Sequence, residues 1–128
     1  MTRSGSIHTD KAPKAIGPYS QGVWAGELFF SAGQVSLDPA TMELVGEDAA
    51  TQAAQVMRNL AAVLEEAGLG FSDVVKTTIF LASMDDFLAV NDVYSRPFDE
   101  PYPARSTVAV RTLPKGALVE IEVVARAT

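Results

Sequence analysis

One arginine, one threonine and two glutamates are the first residues of this sequence that could share a piece of chemistry. Arg105 and Thr107 stand two apart in the run Arg105 to Thr112; Glu120 and Glu122 stand two apart in the run Leu118 to Arg126. Both runs alternate apolar and polar side chains, as a strand with one buried face requires. Joined as a hairpin about Pro114 to Gly116, they would put all four residues on the face away from any helices, with cross-strand neighbours about 5 Å apart. A guanidinium beside two carboxylates and a hydroxyl can bind a small anion and move a proton. A solvated outer face with a surface ion pair, contributing about 0–1 kcal/mol, accounts for the same four residues. Leu118 and Val124 fall on that face too, and a helix-free face mixing apolar with charged groups more often meets another subunit than water. The patch is therefore expected at or near a subunit boundary.

Two further polar residues stand where apolar ones are expected. Asn91 continues the helical stripe Met84, Phe87 and Leu88, and a buried Asn left without partners costs about 1–3 kcal/mol. Either a loop carbonyl or a ligand would satisfy it. Tyr19, in Ile16-Gly17-Pro18-Tyr19, is either a core aromatic or a hydroxyl presented at a cleft. The single histidine, His8, lies in a polar leading segment with no second His or Cys to share a metal, so a solvated role is expected. With no cysteine, the chain has no disulfide, thiol nucleophile or thiolate metal ligand. It carries no Gly-x-Ser-x-Gly elbow, and its glycines lack the spacing of a phosphate-binding loop. Chemistry without metal, thiol or nucleotide cofactor is the expectation.

The elements that must position these residues are legible in outline. At 128 residues, with 48% hydrophobic and 20% charged, the chain fits one globular domain spanning 1–128. Gly22 to Gly26 and Leu28 to Val35 read as two strands, and Ser36 to Gly46, with Asp38-Pro39, as a loop. Ala53, Val56, Met57, Leu60, Val63, Leu64 and Ala67 form one helical face, with Asp48 as N-cap and Gly68 with Leu69 as a Schellman end. Val74 to Leu81 is β-rich. Ser83 opens a second helix, with Asp86 three residues on, and Pro97 ends it. The order is β-β-α-β-α-β-β, an α+β fold with both helices on one face of a single sheet. The formal net charge of -6 argues against a nucleic-acid partner. No apolar run is long enough for a membrane span, and the first ten residues lack a signal peptide's apolar core, so a cytoplasmic protein is expected.

Several motifs together resemble one family. Pro103-Ala104-Arg105-Ser106, Leu113-Pro114-Lys115 and Val119-Glu120-Ile121-Glu122 are similar to the signature of the reactive intermediate deaminase (RidA/YjgF) family. So are Ile16 to Gln21, Ser31-Ala32-Gly33-Gln34, Val75-Lys76-Thr77-Thr78 and Phe87 to Asn91, and the likeness runs from about Lys11 to Ala125. The resemblance implies a chorismate-mutase-like α+β fold, a homotrimer with clefts at its subunit interfaces, and no cofactor or metal. It implies hydrolysis of small 2-imino or enamine acids, such as 2-aminoacrylate and 2-iminopropionate, to 2-oxo acids and ammonia. On that resemblance Arg105 holds the substrate carboxylate and Glu120 orients or deprotonates the attacking water. Tyr19 and Asn91 shape the pocket, Ser31 and Gly33 lie on its wall, and the backbone at Thr107 contacts the substrate.

One position departs from the pattern. Many family members carry cysteine where this chain has Thr107, which excludes any thiol-dependent activity and narrows the pocket if the side chain faces it. Two other readings use the same scaffold: a non-catalytic sensor or chaperone that binds 2-oxo acids, and an endoribonuclease. The acidic charge balance and the lack of a histidine near the motifs weigh against the latter.

Overall fold

Asp48 starts the longest element. In the computed structural model, which describes residues 4–127, its carboxylate accepts a hydrogen bond from the Thr51 amide at 2.7 Å, and helix α1 runs Ala49–Glu66. Met1 to Arg3 of the leading segment, and Thr128, lie outside the described residues. Val56, Leu60, Val63 and Leu64 are fully buried on the expected face, each contributing about 1.5–3 kcal/mol on leaving water. The helix ends in a Schellman motif: the Gly68 amide donates to the Glu65 carbonyl at 2.9 Å and the Leu69 amide to the Leu64 carbonyl at 2.8 Å. Gly68 takes the left-handed φ of 77° that this ending needs.

A polar row beside the apolar face is also buried, which the hydrophobic spacing did not reveal. Asn59 Nδ2 donates to the carbonyls of Val35 and Leu37 at 3.1 and 3.0 Å. Gln52 donates to the Gly46 carbonyl at 3.1 Å and accepts from the Leu118 amide at 2.8 Å. The 36–46 loop is thereby tied down along the helix rather than left to solvent. Gln21 does the same for the leading segment: its amide bonds the backbone of Thr9 in both senses and donates to the Pro13 carbonyl at 2.8 Å.

Among the described residues six strands form one mixed sheet: β1 Ser4–Ile7, β2 Gly22–Ala25, β3 Leu28–Ser31, β4 Val74–Leu81, β5 Ala104–Ala109 and β6 Val119–Arg126. Their spatial order is β1-β2-β3-β6-β4-β5. Strand β1 was not expected, because Ser-Gly-Ser-Ile carries no alternation; its backbone pairs with the edge of β2. The expected hairpin between the last two strands does not form. Strand β4 lies between them, antiparallel to β6 and parallel to β5. The connection from β5 to β6 instead wraps the end of β4, where the Val110 amide donates to the Leu81 carbonyl and the Ala82 amide to the Leu118 carbonyl. Alternation identifies a strand but does not choose its neighbour.

A second helix, α2 Phe87–Ser95, crosses from β4 to β5. Ser83 does cap a turn, accepting from the Asp85 amide at 3.1 Å, but that turn is a 3₁₀ segment, Met84–Asp86. The tighter turn shifts the phase of the helix. Its buried residues are Val90, Val93 and Tyr94, while Met84 and Leu88, expected inside, are exposed at 48% and 79%. Both helices lie on one face, over Ile79, Leu81, Val119, Ile121 and Val123. The other sheet face carries Val23, Leu28, Phe30 and Val108, each roughly 40% exposed or slightly more. Leu118 departs from expectation: it packs against the core cluster instead.

Candidate active site

The register of β4 decides which side chains can meet. Arg105 pairs with Thr77 and Thr107 with Ile79, so both point to the helix side of the sheet. Glu120 pairs with Phe80 and Glu122 with Thr78, so both point to the helix-free side. The four residues expected to form one patch thus divide between two faces, with β4 between them. An adjacent β5–β6 hairpin would have turned Arg105 and Thr107 to the side of the glutamates; with β4 between the strands they face the other way.

On the helix side, Arg105 is held by α2. Its Nη1 donates to Asn91 Oδ1, and its guanidinium carbon lies 5.1 Å from the Tyr94 ring centroid and 5.5 Å from that of Phe87. These contacts orient the planar group and leave most of its five N–H donors free. Among the described residues no carboxylate forms an ion pair with it. Arg105 and Asn91 open on a cavity of about 490 Å³ that Tyr94, Phe98, Tyr102 and Pro103 also line. Tyr94 is anchored by a 2.8 Å hydrogen bond between its hydroxyl and Thr77 Oγ1, and burial pushes that hydroxyl's pKa above the usual range. Tyr94 and Phe87 are site residues that sequence reasoning missed. Tyr94 stands three residues after Asn91, so helical spacing alone could have found it.

On the other face, Glu120 lies in a second cavity, of about 660 Å³, with Tyr19, Gly33, Met42, Lys14 and Lys115. Burial, and then the like charge of Glu122, raise the Glu120 carboxyl above its ordinary pKa. The carboxylate rests on Gly33, where a Cβ would overlap Glu120 Oε2, so glycine leaves the carboxylate its place by close approach and not by backbone angle. Tyr19 is 54% exposed and its hydroxyl accepts from the Ile16 amide at 3.4 Å. Met42 and Lys115 adopt left-handed φ values of 62° and 58°, a conformation costing about 1–2 kcal/mol outside glycine.

Two expected residues stand apart. Ser31 Oγ accepts from the Val123 amide at 2.9 Å, binding β3 to β6, and the side chain lines neither cavity. Thr107 also lines neither, and its buried Oγ1 has no hydrogen-bond partner among the described residues. Exposed His8 bonds Asp10 at 3.0 Å, far in role from both cavities. Among the described residues no group of three or more His, Asp or Glu side chains is placed to hold a metal ion. No helix among them is long and apolar enough to cross a membrane.

A single mixed sheet under two helices, with an arginine cavity on one face and a carboxylate cavity on the other, defines a small α+β protein with the means to bind small anions. The chain belongs to the endoribonuclease L-PSP family, which includes the RidA/YjgF proteins; the family profile matches residues 9–127. It is 56% identical to Protein DfrA of Myxococcus xanthus over 122 residues, 94% of this chain and 93% of that protein. It is 44% identical over 119 residues to a human protein named 2-iminobutanoate/2-iminopropanoate deaminase, covering 93% of this chain and 87% of that one. The crystal structure of RidA from the Antarctic bacterium Psychrobacter sp. PAMC 21119 aligns with a TM-score of 0.91 at 45% identity, over 96% and 99% of the two chains.

Proposed function

We propose that this protein hydrolyses small 2-imino acids, and their enamine tautomers, to 2-oxo acids and ammonia, at sites each built from two copies of the chain. The observation that carries the reading is the division of Arg105 and Glu120 between opposite faces of the sheet. A substrate of a few atoms cannot touch both within one chain. Two copies can supply them, one presenting the arginine cavity and the other the glutamate cavity. The exposed apolar side chains of the helix-free face favour association, and a closed ring such as a trimer satisfies every half-site.

The chemistry follows from the groups. Arg105, oriented by Asn91 and the two aromatic rings, takes the substrate carboxylate through two parallel N–H bonds. Glu120 accepts a proton from water as the water oxygen bonds to the imine carbon. The carbinolamine so formed recovers that proton on nitrogen; the C–N bond then breaks as the hydroxyl becomes the carbonyl and gives its proton to the freed Glu120 carboxylate, and ammonia and the 2-oxo acid leave. A carboxyl held above its ordinary pKa is the stronger base for taking the water's proton. Two further points support the reading: the name of the human relative, and the exclusion of His8 from both cavities, which leaves RNA cleavage without its usual base.

The test is release of 2-oxo acid from imines generated in situ by an amino-acid oxidase, with wild type beside Arg105→Ala. Acceleration by the wild type alone is expected. Equal rates in both, at or above the spontaneous rate, would remove the proposal. Binding of 2-oxo acids with no acceleration would point instead to a sensor.

A further inference from the structure

We propose that Lys14 and Lys115 form a second anion subsite in the Glu120 cavity, selecting imino and 2-oxo acids whose side chain ends in a carboxylate. The inference rests on the imine reading above, which assigns the first carboxylate to Arg105. Both lysines line the cavity that holds Glu120. Neither has an ion-pair partner: the ion pairs among the described residues use His8, Lys11 and Arg96. Nor does either form an ion pair with Glu120. Two cations outside any ion pair among the described residues therefore share one cavity with a single carboxylate, on a chain whose net charge is -6. Such a local exception attracts anions that the rest of the surface repels.

The backbone adds a second line of argument. Lys115 has φ 58° and is followed by Gly116 at φ 68°. A lysine has no intrinsic preference for that region, and strained residues of this kind cluster at ligand sites. The turn is thus set in the conformation that brings Lys115 to the cavity wall. Ile16, Val35 and Leu37 supply apolar wall beside it, suited to a short methylene spacer. A monocarboxylic substrate would leave the two ammonium groups facing only the Glu120 carboxylate across the cavity; a dicarboxylic one would supply a second negative charge. The cavity's 660 Å³ is ample for the longer side chain.

Titration calorimetry with 2-oxoglutarate and 2-oxohexanoate tests the subsite without requiring turnover. The wild type is expected to bind the dicarboxylate at least about tenfold more tightly, a preference that shrinks with added salt. In the Lys14→Gln/Lys115→Asn double variant that ratio should fall by about tenfold, whereas Lys115→Arg, which keeps the charge, should retain it. Asparagine is chosen because it tolerates the left-handed backbone. Equal affinities in the wild type, binding of neither acid, or a ratio preserved in the double variant would each overturn the subsite. Selective binding without hydrolysis of any imine would remove the imine reading and leave the subsite standing.

Discussion

Gly33 lies directly against the carboxylate of Glu120, so that even one added carbon at residue 33 would occupy the space of the carboxylate's Oε2. The pairing couples a loop after β3 to the proposed base on β6. Gly33→Ala should displace the carboxylate rather than unfold the protein, because the far end of a glutamate can swing aside. Imine hydrolysis should fall by about 10²-fold, in line with the cost of misplacing a reacting group by an ångström, with little change in thermal midpoint. A variant of wild-type activity would show that Glu120 is not held for catalysis.

Arg105 offers a cleaner separation of binding from fold. Its side chain is exposed and, among the described residues, pairs only with Asn91 and two rings, so Arg105→Lys should leave the circular dichroism spectrum and melting point intact. Loss of the paired N–H bonds to a carboxylate should lower kcat/KM by about 10²-fold or more, since each bond to a charged group contributes about 1.5–3 kcal/mol.

The pH dependence follows from the raised carboxyl of Glu120. Acting as a base, it must be ionised, so kcat/KM should rise with pH through its elevated pKa. Glu122→Gln removes the like charge and should move that limb to lower pH. Stability runs the other way. The folded state binds the proton more tightly than the unfolded chain, so this group's contribution is present below the ordinary value of 4.5 and is lost as pH rises through the folded value. Rate profiles and urea melts across that window should therefore show opposite slopes.

Asn59 carries the 36–46 loop, and with it the wall residues Val35, Leu37 and Met42. Asn59→Leu leaves the buried Leu37 carbonyl and the half-buried Val35 carbonyl without their donor and should destabilise the fold by about 2–4 kcal/mol, read by urea unfolding. Hydrogen exchange should rise first in that loop. An unchanged midpoint would mean that water replaces the amide.

The helix α1 and strand β4 were plain in the sequence because caps, spacing and β-branched runs are local signals. The site was legible only in part. Arg105, Asn91, Glu120, Gly33 and Tyr19 were all singled out, and the structure gathers them into two groups, Arg105 with Asn91 and Glu120 with Gly33 and Tyr19. Their division was hidden because it depends on β4 inserting between β5 and β6, a long-range pairing with no local mark. Met84 and Leu88 misled for a smaller reason, a 3₁₀ turn that rotates the following helix. The buried amides of Gln21, Gln52 and Asn59 gave no sign at all, since polar residues beside an apolar stripe look solvated until the loops they hold are seen.

The separation of Arg105 from Glu120 by a single strand also has a genetic meaning. Two damaged alleles, one lacking the arginine and one lacking the glutamate, are each silent alone under the shared-site reading. Mixed in equal amounts and reassembled, they would regain about a quarter of the wild-type sites, whatever the size of the ring, because one site in four draws an intact arginine and an intact glutamate from different parents.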